Sequence, residues 1–197
     1  MNRLTGILTL AAIMGAASTS AAFAHVGIGP HGHGFMAGFM HPLMGPDHLL
    51  AMLGVGIWAA QLGKRATWLV PAAFVTVMMA GAALAMFGAA LPMVEFGIGG
   101  SVLVIGALIA CGTRMPVALA MSLAGAFALF HGHAHGTELP GLAHPAAYGA
   151  GFVAATSLLH AAGIGIAYAL HRHAASLPFR IGGAVMAAIG GGLLLSA

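Results

Sequence analysis

His41-Pro42-Leu43-Met44-Gly45-Pro46-Asp47-His48 sets two imidazoles and a carboxylate beside two prolines, in a chain with few other polar atoms. The whole chain of 197 residues has only three acidic residues, Asp47, Glu95 and Glu138, and 60% of it is hydrophobic. An ionised aspartate at the centre of a membrane helix costs at least ~2.5 kcal/mol, so it is expected to face protein and to have a partner. We therefore interpret this stretch as a functional site inside a membrane protein.

The composition excludes several classes of protein. Charged residues make up 5% of the chain, against roughly 25% in a typical soluble domain. The six lysines and arginines are scattered, so they do not form the basic patch that a nucleic-acid partner requires. The single cysteine, Cys111, cannot form an internal disulfide. Twelve histidines outnumber all the charged residues together, which indicates a chemical use for imidazole.

Residues 1–24 are typical of a secretory signal peptide. Arg3 supplies the positive end, an apolar run follows, and Ala22-Phe23-Ala24 fits a small-x-small cleavage site. Cleavage would leave a mature chain of residues 25–197 with His25 at its start. The alternative is an uncleaved first helix.

The mature chain is predicted to be an all-α, polytopic bundle of six transmembrane helices. The apolar runs have lengths that fit a hydrocarbon core of roughly 30 Å. They lie near residues 35–62, 67–89, 93–112, 115–136, 146–170 and 179–196.

The basic residues predict the orientation of this bundle. In the mature chain they fall only in or next to the first, third and fifth links between the predicted spans, as Lys64, Arg65, Arg114, Arg172 and Arg180. The positive-inside rule makes these links cytoplasmic, so both ends of the mature chain are expected on the periplasmic side of a bacterial inner membrane. Trp58 and Trp68 flank the first link, where aromatic residues at the membrane interface are expected.

The first span is predicted to bend at Gly45 and Pro46. As a straight helix its 28 residues would measure about 42 Å, which exceeds the hydrocarbon core. Pro46 lacks an N–H for the helical ladder, which favours a kink or an unwound turn. His41 and His48 would share a face of a continuous helix, whereas Asp47 would turn about 100° away from His48. A bend could bring all three together, and a divalent cation bound by them would be the natural partner of Asp47. In the alternative interpretation, Asp47 merely caps the helix that begins at Pro46 and His48 hydrogen-bonds a neighbouring backbone group.

A second polar group, Phe130-His131-Gly132-His133-Ala134-His135-Gly136-Thr137-Glu138, falls at the outer end of the fourth span. His131, His135 and Glu138 are spaced i, i+4, i+7 and form one stripe of a helix, whereas His133 points elsewhere. Two imidazoles four residues apart can hold one metal ion, with the carboxylate as a ligand or as a partner of a ligand. We expect this stripe to meet the bent first span and form one shared metal site.

Other histidines extend this set of candidate metal ligands. His160 lies 14 residues into the fifth span, so it is either a deeper ligand or a hydrogen-bonded core residue. His25, His31 and His33 precede the first span, His144 precedes the fifth, and all four could collect metal outside the membrane. His133 is the last of the candidate metal ligands. Zinc and copper bind imidazole and carboxylate sets as well as nickel or cobalt does, so the ligands alone leave the metal open.

The combined motifs resemble the HupE/UreJ family of nickel and cobalt permeases. The matching residues are His41-Pro42-x-x-Gly45-x-Asp47-His48, Phe130-His131-Gly132-x-Ala134-His135-Gly136-x-Glu138 and Thr156-Ser157-Leu158-Leu159-His160-x-x-Gly163. The resemblance covers essentially the whole chain. It implies a permease that carries Ni²⁺ or Co²⁺ as its substrate, has no permanently bound cofactor, and supplies metalloenzymes such as hydrogenase or urease.

We therefore expect a secondary transporter that moves a divalent transition metal from periplasm to cytoplasm, and not an enzyme. Two alternatives stay open from the residues alone. Histidines such as His48 and His160 could ligate haem in an electron carrier. An intramembrane metalloenzyme could hold zinc on His41, His48 and His135 and activate water with Glu138, although no His-Glu-x-x-His motif is present.

Overall fold

The computed structural model describes residues 34–139, 144–171 and 177–197, and the regular structure within them is entirely helical. The helices in chain order are α1 Phe35–Met44, α2 Pro46–Leu62, α3 Lys64–Met86, α4 Val94–Cys111, α5 Val117–Thr137, α6 Pro145–His171 and α7 Leu177–Ser196. The prediction of an all-α chain is confirmed for these residues. Five helices, α3 to α7, are long and apolar enough to cross a membrane, so the chain is a multi-pass membrane protein.

The predicted spans agree with the observed helices to within about three residues from the second span onward. The first predicted span, 35–62, is two helices that meet at an angle of 85°. The bend expected at Gly45 and Pro46 is therefore confirmed, and α1 and α2 together give at most one further crossing. The signal peptide predicted over 1–24 lies outside the described residues, as does Arg172.

The link between α2 and α3 is a single residue, Gly63. Its φ of 108° lies in the left-handed region, which glycine adopts without the strain that a Cβ causes. Trp68, just after this link, is 75% exposed, as expected for an interfacial residue. Trp58, just before it, is fully buried among the helices, so it lacks the exposed ring expected of an interfacial residue. Trp58 is buried because α2 is the central helix of the bundle and has no free face at this level.

The helices are paired around α2. The closest pairs are α3 with α5, α4 with α7, and both α1 and α2 with α6, while α2 contacts every other described helix. In lipid, helices associate through close packing and hydrogen bonds, because the surrounding chains are as apolar as the helices themselves. The side chains at the centre are accordingly packed without solvent contact, among them Met52, Val55, Phe74 and Ile105.

Gly132 fixes how closely α5 approaches α3. A Cβ at this position would overlap the backbone carbonyl of Met78, so only glycine permits the observed separation. Gly132 stands between His131 and His133, in the segment of α5 that carries the polar stripe. The close contact therefore draws the histidines of α5 into the interior, where His131 is fully buried and His135 nearly so.

Candidate metal site

The break between α1 and α2 follows from two adjacent residues. Pro46 occupies the first turn of α2, where its missing N–H costs no hydrogen bond and its fixed φ suits a helix start. The residue before a proline is pushed out of the helical region, and Gly45 is extended at φ −88° and ψ 116°. Gly45 still donates its N–H to the carbonyl of His41 at 3.4 Å, and its carbonyl accepts from Leu49 at 2.9 Å. The bend is thus a defined turn with paired backbone groups.

The bend brings His41 and His48 into one group. On a continuous helix, residues seven apart are separated by about 10.5 Å along the axis. Here the two ring centroids are 6.0 Å apart and the rings meet edge to face. The structure therefore places together two imidazoles that a straight helix would hold apart.

His135 of α5 completes this group. Its ring centroid lies 4.6 Å from that of His41 and 4.4 Å from that of His48. One nitrogen from each of the three rings can be chosen so that all lie within 4.8 Å of one another. His41, His48 and His135, called below the three-histidine cluster, thus surround one point with ligands from three helices. Three imidazole nitrogens are a sufficient protein set for a transition-metal ion that keeps open positions for water.

Each carboxylate of the two motifs bonds to a histidine of the cluster. Glu138 Oε2 lies 3.1 Å from His41 Nε2, and Asp47 Oδ1 lies 2.9 Å from His48 Nδ1. Asp47 Oδ1 also accepts the backbone N–H of His48 at 2.8 Å. The partner that Asp47 needs inside the membrane is therefore a histidine of the same motif. The capping interpretation is not confirmed, because the N-cap residue of α2 is Gly45 and no side chain caps the start of this helix.

These bonds decide which nitrogen of each ring is free. A carboxylate accepts hydrogen bonds, so His48 donates from Nδ1 and keeps the lone pair on Nε2. His41 likewise donates from Nε2 and keeps the lone pair on Nδ1. A carboxylate behind a ligating imidazole fixes the tautomer and makes the ring a better donor to a metal. Both carboxylates would therefore act on a bound metal through the histidines that they hold.

Exposure changes across the cluster. The side chains of His41 and Glu138 are 33% and 40% exposed, whereas those of Asp47 and His48 are 23% and 9% exposed. His135 is buried, and a cavity of about 50 Å³ lies beside it between α3, α5 and α6, lined in part by Tyr148 and Phe152. The cluster is thus open on the side of His41 and Glu138 and closed on the side of His48 and His135.

His131 lies next to the cluster and deeper in the bundle. Its ring centroid is 5.0 Å from that of His48, and its Nε2 is 2.9 Å from Ser101 Oγ on α4. Phe74 separates it from His160, with centroids 5.7 Å from His131 and 5.1 Å from His160. The structure therefore arranges His48, His131, Phe74 and His160 as a buried series of rings.

Several buried imidazole nitrogens have no hydrogen-bond partner among the described residues. They are His48 Nε2, His131 Nδ1, His133 Nδ1, and both nitrogens of His135 and of His160. Buried polar atoms in native proteins are nearly always paired, so unpaired lone pairs in one region indicate a ligand. All of these atoms except the one on His133 belong to the three-histidine cluster or to the series of rings below it.

His133 is placed apart from the cluster, as its position on α5 predicts. Its Nε2 lies 2.8 Å from the carbonyl oxygen of Ala89, in the link between α3 and α4. This bond ties the link to α5. The outer candidates His25, His31 and His33 lie outside the described residues.

Sequence reasoning missed Ser101, Phe74 and Phe152. Ser101 is the only hydroxyl residue of α4, whose other residues beyond Glu95 are apolar or small, so its position could have been flagged from the sequence. Phe152 packs on His135 with centroids 3.8 Å apart. Neither phenylalanine carries a signal in the sequence, because phenylalanine is common in any membrane helix.

Comparison with known proteins covers nearly the whole chain. Residues 11–193 match the family described as HupE / UreJ protein. The chain is 46% identical over 187 residues to "Protein HupE" from Rhizobium leguminosarum bv. viciae, an alignment that covers 95% of each protein. No solved structure matches the chain. The match to the family includes α1 to α6 entirely and therefore the whole three-histidine cluster.

Proposed function

The chain belongs to the HupE/UreJ family, and on that premise we propose that it is a permease that moves a divalent transition-metal ion from the periplasm to the cytoplasm. Nickel is the proposed substrate, with cobalt as the other ion that the family carries. The ion is cargo, so the protein needs no resident cofactor and carries out no chemical conversion. Its partners are the metal ion, the lipid bilayer and, indirectly, a nickel enzyme such as hydrogenase or urease.

The three-histidine cluster is the observation that carries this proposal. Three imidazoles from three helices converge on one point, and carboxylates hold two of them in a defined tautomer. Nitrogen ligands of this kind suit Ni²⁺ and Co²⁺, and family membership favours these ions over zinc and copper, which bind such ligands as well. A site that served only to stabilise the fold would not need three facing imidazoles with unpaired nitrogens.

The direction of transport follows from the proposed topology. We propose that residues 1–24 are a cleaved signal peptide and that α1 and α2 form one broken crossing, which gives six crossings in all. The positive-inside rule then places Arg65, Arg114 and Arg180 on the cytoplasmic side and both mature termini in the periplasm of a bacterial inner membrane. In this orientation the start of α2, the end of α5 and the start of α6 all lie on the periplasmic side. The cluster therefore faces the compartment from which metal arrives.

The gradient of exposure supports an order of contacts. His25, His31 and His33 would collect the hydrated ion, and Glu138 and His41 would meet it next because they are the most exposed members of the site. His48, held by Asp47, and His135 would then replace water. His131 and His160 would pass the ion inward. His133 is left out of this route because its Nε2 bonds to Ala89.

The geometry gives little support to a haem carrier. Axial ligands present their nitrogens to the two faces of one planar group. Instead, the His48 ring packs edge-on against His131, and the His160 ring packs edge-on against Phe74. These contacts keep the two histidines in separate layers of the core.

Uptake of ⁶³Ni into cells or into right-side-out membrane vesicles tests the proposal. We expect His48→Ala and Asp47→Ala to abolish high-affinity uptake, because the first removes a ligand and the second removes the group that holds it. His133→Ala is the matched control, since it removes an imidazole whose Nε2 bonds to Ala89 outside the cluster, and it should leave most of the uptake in place. The amount of each variant in the membrane fraction is measured alongside. Unchanged uptake in both His48→Ala and Asp47→Ala would end the proposal.

A further inference from the structure

Ser101 is the one hydroxyl side chain of α4, and it is fully buried against His131. Its Oγ lies 2.6 Å from the carbonyl oxygen of Ile98 and 2.9 Å from His131 Nε2. His131 is also fully buried, so bulk solvent does not reach either contact. The two bonds therefore have to be satisfied with the single proton of the serine hydroxyl and the single N–H of a neutral imidazole.

Only one assignment of these protons satisfies both contacts. A carbonyl oxygen accepts but cannot donate, so at 2.6 Å from Ile98 the serine must donate its proton there. The serine oxygen is then an acceptor toward His131, and His131 must donate from Nε2. The other nitrogen, Nδ1, keeps the lone pair and has no partner among the described residues.

We propose that Ser101 is a positioning residue for transport, which makes Nδ1 of His131 the atom that receives the metal ion. The proposal rests on the proposed function and extends it by one residue. With Nε2 occupied, a metal can bind His131 only through Nδ1. Ser101 thus performs for His131 the task that Asp47 performs for His48.

The difference between the two partners has a functional consequence. Asp47 is an anion, and its bond to His48 makes that imidazole a stronger ligand for a metal ion. The Ser101 hydroxyl is neutral and strengthens His131 less. His131 is therefore the weaker of two neighbouring ligands whose ring centroids are 5.0 Å apart. A weaker second ligand lets the ion move on toward His160 after His48 has captured it.

Nitrogen-15 NMR of the full chain in lipid nanodiscs, with labelled histidine and without metal, tests the tautomer directly. We expect the signal of His131, identified by its loss in His131→Gln, to show protonated Nε2 and unprotonated Nδ1. In Ser101→Ala the acceptor is gone and the two tautomers should mix. Ser101→Thr retains the hydroxyl and should restore the original signal.

The same variants are then measured for ⁶³Ni uptake. We expect Ser101→Ala to lower the rate by about 10-fold, at the lower end of the range for partners that hold a metal ligand, and Ser101→Thr to recover most of it. Ser196→Ala is the matched control, because Ser196 makes the same bond to the carbonyl three residues before it, Leu193, but is exposed and faces no histidine. Thermal unfolding of each purified variant reports whether the fold is retained.

The outcomes separate this proposal from the proposed function. A wild-type His131 protonated on Nδ1 would overturn it, and so would a tautomer or an uptake rate that does not change in Ser101→Ala. If the tautomer changes as expected but no variant of the chain takes up nickel, including the wild type, the proposed function fails and the role of Ser101 in transport fails with it. Loss of uptake in Ser101→Ala with an unchanged His131 signal would show a packing role for Ser101 and overturn the proposal as well.

Discussion

The three-histidine cluster and the deeper pair His131 and His160 use the same side chain in two different surroundings. In the cluster, carboxylates hold His41 and His48, and the side chain of His41 is 33% exposed. In the deeper pair, His131 has only a serine hydroxyl as its partner, both rings are buried, and Phe74 lies between them. No acidic side chain contacts either of these two rings among the described residues.

In the proposed transport, this contrast would divide the work between capture of the ion at the cluster and its passage along the deeper pair. An ion leaving water loses its hydration shell, so the first site must supply strong ligands and negative charge. A site deeper in the protein must hold the ion weakly enough to let it leave. Carboxylate-backed imidazoles at the outer side and neutral imidazoles within meet these two requirements in order.

The largest expected loss of uptake follows from removing a ligand of the three-histidine cluster. His135→Ala removes the ring that contacts both His41 and His48, and we expect ⁶³Ni uptake to fall by about 100-fold or more, beyond the usual loss for a supporting residue. His133→Ala on the same helix should keep most of its uptake, because that ring bonds to Ala89 outside the cluster. Equal losses in the two variants would mean that α5 serves only as a scaffold.

A smaller effect is expected when the charge behind the outer ligand is removed but its shape is kept. Asp47→Asn retains an oxygen that can accept from His48 Nδ1 but loses the negative charge, so the KM for nickel should rise by about 10- to 100-fold. The maximal rate should change less than the KM. A variant with unchanged KM would show that Asp47 serves only the first turn of α2, through its bond to the His48 N–H.

The smallest effect of the three concerns the inner region. His160→Ala should lower the maximal uptake rate by about 10-fold and leave the affinity of the purified protein for nickel unchanged, because His160 lies below Phe74 and outside the cluster. Equilibrium binding and initial uptake rates, measured on the same preparation, separate the two quantities. Weaker binding with an unchanged rate would assign His160 to capture and remove the distinction between the regions.

Much of the fold could be predicted from the sequence because its signals are local. The length of each apolar run predicts each span. The bend is predicted because Pro46 has no N–H and because the backbone of Gly45, the residue before it, is kept out of the helical region. The shared stripe of His131 and His135 follows from their spacing on α5. These features depend on neighbours in the chain, which the sequence displays directly.

The remaining features depend on contacts between distant residues. Nothing near Ser101 in the sequence shows that it faces His131, thirty positions away. Trp58 was expected at the interface because it lies near a loop, but the central position of α2 buries it. In each case the packing of helices, which the local pattern does not encode, decides where the side chain lies.

X-ray absorption at the nickel edge of the purified, nickel-loaded chain tests the central claim most directly. We expect one nickel ion per chain, with three imidazole ligands in the wild type. In His41→Ala the number of imidazole ligands should fall to two. That variant is decisive because His41 lies on α1, and only the bend at Gly45 brings it to His48 and His135. A spectrum with three imidazoles in both proteins, or with none in the wild type, would contradict the account.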